Sequence, residues 1–69
     1  PKAEKFLKRA VELMPDDPIV NDHYGDILWM LDRKIQARYF WSNVIEMENT
    51  ETEMIENVNK KLIEGLENS

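Results

Sequence analysis

Asp22, His23 and Asp26 carry the side chains best suited to hold a divalent cation. Asp22 and Asp26 are four apart, so on a helix both carboxylates project from one face. His23 is turned about 100° away from Asp22 on an ideal helix. It is the only histidine, and there is no cysteine to complete a ligand set. The expectation is no metal site, a surface role for His23, and carboxylates that are either solvated or touch a partner. Other catalytic groupings are no stronger. Ser42 and Ser69 have no base and orienting group at a spacing that would activate a hydroxyl. Glu46 and Glu48, two apart on a helix, face different ways and do not form an acid/base pair. No Gly-rich phosphate loop is present. The residues point to a chain without intrinsic catalysis, metal or cofactor, whose work is binding.

Composition narrows the field further. The chain has 69 residues, 42% of them apolar, with 2 Gly, 3 Pro and a net charge of −5. That describes one small helix-compatible domain with a thin core, marginal in stability and helped by self-association. The acidic balance speaks against nucleic acid, whose phosphates require a basic face. The longest apolar run, Ile27 to Leu31, is far too short to cross a bilayer. Absence of Cys excludes disulfides without fixing the compartment. Charge is uneven. Lys2, Lys5, Lys8 and Arg9 outweigh Glu4 and Glu12 in residues 1–15, and the remainder is acidic. Two such regions attract each other between copies, subject to screening by salt. The chain opens on Pro1 without an initiating Met, which reads as a piece of a longer protein.

Four helices must position these residues. Ala3, Phe6, Leu7, Ala10, Val11, Leu13 and Met14 recur at spacings of three and four, and Pro15 stops that helix. Asp17 followed by Pro18 starts the second, which turns Val20, Tyr24, Ile27, Leu28 and Leu31 inward. Gly25 inside it costs about 1 kcal/mol relative to Ala, which makes sense where another helix presses close. Asp32 to Lys34 form a turn short enough to make the second and third helices antiparallel neighbours. The third helix points Ala37, Phe40, Trp41, Val44 and Ile45 inward. Thr50, three residues before Glu53, predicts a capping box that opens the fourth helix. That helix buries Met54, Ile55, Val58, Leu62 and Leu66 and stops at Gly65. No segment alternates as a half-buried strand does.

A 34-residue echo ties these helices together. Ala3, Leu7, Ala10, Leu13 and Pro15 return as Ala37, Trp41, Val44, Met47 and Asn49. Between them stand Asn21-x2-Tyr24-Gly25-x2-Leu28 and Ala37-x3-Trp41. In period and in these residues the chain resembles a tetratricopeptide repeat, with Asn21 where Trp is usual and Asn49 where the closing Pro is usual. Trp29 with Ala37-Arg38-x2-Trp41 is similar to bacterial members of that family. The resemblance runs from residue 3 to about residue 50. It implies an all-α fold, antiparallel helix-turn-helix repeats stacked as a short right-handed superhelix of four helices. Residues 1–15 would be the second helix of an incomplete repeat, 18–51 a complete repeat, and 52–66 a closing helix. It further implies a protein-interaction module at the C-terminal end of an array.

In that family the first helix of each unit lines a groove. Carried over by position, the groove takes in Ile19, Asp22, His23, Asp26, Trp29 and Met30, with Glu53, Glu56, Asn57 and Lys60 from the fourth helix. Asp22, Asp26, Trp29, Met30, Glu56 and Lys60 are the expected contacts to a protein or peptide partner. Carboxylates at 22 and 26 cannot clamp the C-terminal carboxylate that some members grip. The expected ligand is therefore a basic or amphipathic segment, with Trp29 as its aromatic anchor. Tyr24, Phe40 and Trp41 read as core, whereas Trp29 and Tyr39 lie off the main apolar stripe. The alternative is a structural role without an external ligand. In it the chain caps an array, or two copies pair as a homodimer through Ala3, Phe6 and Ala10.

Overall fold

A computed structural model describes residues 2–66; Pro1 and Ser69, singled out above, lie outside them. The chain folds into four helices, α1 (Lys2–Leu13), α2 (Pro18–Met30), α3 (Lys34–Glu46) and α4 (Thr52–Glu64), with no strand among the described residues. Local chemistry sets most of the boundaries. Asp17 caps α2, its Oδ1 accepting from the backbone N–H of Ile19 at 2.9 Å and of Val20 at 3.1 Å, with Pro18 in the first turn. At the other end Asp32 takes the left-handed conformation, φ 62°. The Asp32 N–H then donates to the Trp29 carbonyl at 3.0 Å and the Arg33 N–H to the Leu28 carbonyl at 2.9 Å. That crossed pair is a Schellman ending, and Asp is one of the few residues other than Gly that tolerates its geometry. Gly65 closes α4 at φ 71°, donating to the Lys61 carbonyl at 2.7 Å.

One predicted cap is different. Thr50 does not open α4; its hydroxyl donates backwards to the Val44 carbonyl at 2.8 Å, and Glu51 precedes the helix without a side-chain cap. The Val44 carbonyl at the end of α3 accepts the Met47 N–H at 3.3 Å and has a second lone pair to take the hydroxyl.

The core lies between α2 and α3 and is extended by one residue of α4. Tyr24, Leu28, Trp29, Ala37, Trp41, Val44 and Val58 are buried. Helix direction follows from which residues meet. Asp22 meets Trp41, Gly25 meets Ala37, and Trp29 meets Lys34, so α3 runs antiparallel to α2. Lys61 meets Asp22 and Asp26 while Gly65 meets Trp29, so α4 runs in the same sense as α2. The α2–α3 joint depends on Gly25. The Ala37 carbonyl lies 3.2 Å from where a Cβ would stand, and the Trp41 indole lies closer still, so any side chain would overlap it. Buried Asn21, in the position where the resembled pattern has Trp, ties the first turn down instead. Its Nδ2 donates to the carbonyls of Pro15 at 3.0 Å and Asp17 at 2.9 Å.

The first helix is held more loosely than its apolar pattern predicts. Leu7 and Val11 pack against the core and Arg33 pairs with Glu4, but no residue of α1 is fully buried. Leu13 and Met14, expected inside, are exposed. They lie at the helix end beyond the reach of α2, where the chain turns away at Pro15.

Two stability outcomes follow. Ala is the better helix former by about 1 kcal/mol, yet Gly25→Ala is expected to cost about 1–3 kcal/mol because Trp41 must give way; the urea midpoint reads it. Thr50→Val is expected to cost about 1 kcal/mol through the lost hydrogen bond to the Val44 carbonyl, seen in the same titration.

Candidate functional site

The acidic pair is built by α2 and completed by α4. Asp22 and Asp26 stand one turn apart, and the Lys61 ammonium lies between them, 2.8 Å from Asp22 Oδ1 and 2.9 and 3.1 Å from the two Asp26 oxygens. Trp41 joins from α3, its Nε1 donating to Asp26 Oδ1 at 3.1 Å and to the Asp22 carbonyl at 3.3 Å. Three helices thus meet at one half-buried cluster. Burial alone would lower the Lys61 pKa, but hydrogen bonds and the charges of Asp22 and Asp26 outweigh it and hold it above its ordinary value. The Lys61 ammonium also sits 5.8 Å from the Trp41 ring centre, within cation–π range.

His23 does not diverge as ideal helix geometry predicts. A ligand atom from each of Asp22, His23 and Asp26 falls within 4.8 Å of the others, because a long imidazole can swing back over the neighbouring turn. The cation that the carboxylates hold is nevertheless Lys61. A metal would have to displace an ammonium that makes three short hydrogen bonds.

Trp29 is the main correction. Expected as an exposed aromatic anchor, it is only 7% exposed. Its ring stacks on Trp41 with centroids 5.4 Å apart, under Lys34 at 5.0 Å and Arg38 at 5.4 Å, and the missing side chain of Gly65 leaves room for its edge. The α2 wheel places Trp29 off the main apolar stripe, but Trp41, Lys34 and Arg38 of α3 cover its ring and the end of α4 closes over its edge at Gly65. Met30 is 70% exposed, and Glu56 and Lys60 are exposed as well. Lys61, by contrast, is a site residue that spacing did not reveal. Its partners lie 35 and 39 positions away, and only the acidic pair at i, i+4 hinted that a cation was wanted.

Beside the cluster, α2 and α4 enclose an open groove of about 640 Å³. Asp22 and Lys61 form its inner wall, Glu53, Asn57, Lys60 and Glu64 its polar rim, and Met54 and Leu66 its apolar surface. Of the six expected partner contacts, Asp22 and Lys60 line it; Asp26, Trp29, Met30 and Glu56 do not. Among the described residues no helix is long and apolar enough to cross a membrane. No protein-family model, curated protein or solved structure matches this chain.

The triad sets an alkaline limit. Lys61 and Tyr24 both have raised folded-state pKa values, Tyr24 chiefly through burial with Glu4 adding to it. A raised value gives stability that is fully present below the unfolded pKa and lost as pH rises through the folded one. Stability is therefore expected to fall from about pH 10 upward, with Tyr24→Phe removing one component and Lys61→Met the other. At neutral pH Lys61→Met is expected to cost about 1–3 kcal/mol by leaving two carboxylates half-buried and unpaired. Thermal melts across pH 7 to 11 check both statements.

Proposed function

We propose that this chain is a protein-interaction module of the tetratricopeptide kind, which holds a partner segment in the groove between α2 and α4. The observation that carries this reading is the groove itself. Two helices running in the same sense, both packed on α3, leave an open groove lined by α4 and its flanks with Asp22 of α2, part apolar at Met54 and Leu66 and part charged. Stacked helices present such a surface preformed, so the partner loses conformational freedom on binding and the receptor loses little. The 34-residue echo and the Gly25–Ala37 contact support the family reading.

Charge indicates the partner's chemistry. With Asp22 and Lys61 engaged with each other, the groove's remaining charges are Glu51, Glu53 and Glu64 against Lys60. A segment with basic side chains toward the rim and apolar ones toward Met54 and Leu66 complements it. Trp29 has no part in this, and Asp22 contributes as part of the wall.

A short amphipathic Lys/Leu peptide serves as probe. Titrated against the chain by NMR, it is expected to shift the amides of Glu53, Asn57, Lys60 and Glu64. The double variant Glu53→Lys, Glu64→Lys is expected to weaken it at least about fivefold, as rim charges do, without unfolding the protein. Shifts scattered over the surface, or an affinity indifferent to that variant, would remove the groove as the site.

A further inference from the structure

The spacing of the helices carries a second consequence, independent of the groove. α2 begins at Pro18 and ends at Met30; α4 begins at Thr52 and ends at Glu64, the same element displaced by 34 residues at both ends. Asn59 and Ile63 therefore stand on α4 where Gly25 and Trp29 stand on α2. By the same displacement Ala3, Phe6 and Leu7 stand on α1 where Ala37, Phe40 and Trp41 stand on α3.

Inside the chain those two sets of positions form the α2–α3 joint, and Ala37 and Trp41 are fully buried by it. At the ends of the stack most of them are uncovered, Leu7 alone being half-buried against the core. Phe6 is 75% exposed, Ala3 is exposed, Ile63 is 81% exposed, and Asn59 is exposed. One end offers a face of the α3 kind and the other a face of the α2 kind.

The substitutions between the internal joint and the open faces compensate in volume. Asn59 is larger than the Gly25 it corresponds to, and Leu7 is smaller than the corresponding Trp41, so the notch lost on one helix is regained on the other. Charge is compatible: Lys2 and Arg9 flank Phe6 on α1, and on α4 Glu56 lies about 20° around the helix from Ile63, nearer than Lys60 at about 60°.

We infer that copies of this chain associate head to tail, α4 of one docking on α1 of the next as α2 docks on α3. The two faces differ, so the contact is heterologous: it does not close as a symmetric pair and adds copies at either end. Neither Asn59 nor Ile63 lines the groove, so substitution at Ile63 tests this joint separately from it.

Sedimentation velocity of the 69-residue chain from about 10 μM to about 1 mM, the range for a small contact, is expected to show a mass that climbs with concentration. Phe6→Arg and Ile63→Arg, each at an exposed position, are expected to keep the parent circular dichroism and remain monomeric throughout. Mixed in equal amounts they retain one intact face of each kind. The mixture is expected to form a two-chain complex and nothing larger. A parent chain that stays monomeric overturns the inference, as does a mixture that does not associate. Association abolished by Phe6→Arg but untouched by Ile63→Arg would mean symmetric pairing through α1, and also overturns it.

Discussion

The Trp41 indole against Gly25 is the contact on which the other packing depends. A helix pair can approach this closely only where one side chain is absent, and the vacancy is filled by the largest side chain available. From there Trp41 stacks on Trp29, donates to Asp26, and lies under the Lys61 ammonium. Shift that ring and the core, the acidic pair and the seat of α4 all change together. A domain this small has few buried residues, so one well-placed indole accounts for a large share of its order.

The attachment of α4 differs in kind from that of α3. Val58 is the single fully buried apolar residue it contributes, and its link to α2 is the Lys61 ammonium between two carboxylates. Apolar contact is indifferent to small sliding, whereas an ammonium with three acceptors accepts one position along the helix. The ion cluster therefore sets the register of α4 relative to α2, and with it the width and rim of the groove. With Lys61 held between the two carboxylates the cluster keeps one net negative charge, and the rest of the groove's outward charge comes from Glu51, Glu53, Glu64 and Lys60.

The loose α1 fits the same economy. Its apolar positions are those of α3, but among the described residues of α1 only Leu7 and Val11 pack against the buried core. Phe6, Leu13 and Met14 remain in contact with water, and exposed apolar surface of this continuity tends to be used between molecules.

Four helices, the start at Asp17–Pro18 and the stop at Gly65, the burial of Tyr24, Leu28, Ala37, Trp41 and Val44, and the close approach at Gly25 were all legible in the amino-acid sequence. Each depends on neighbours within a turn or two, or on a periodicity that survives in any helical setting. The destination of Trp29, the partner of Asp22 and Asp26, the hydroxyl of Thr50 and the bare end of α1 were not. Spacing gives the angle at which a side chain leaves its helix, but not which other helix lies at that angle. That is decided when α4 settles beside α2, more than thirty residues away along the chain. Its arrival closes over the edge of a tryptophan already stacked on α3 and brings an ammonium to two carboxylates that the sequence left facing outward.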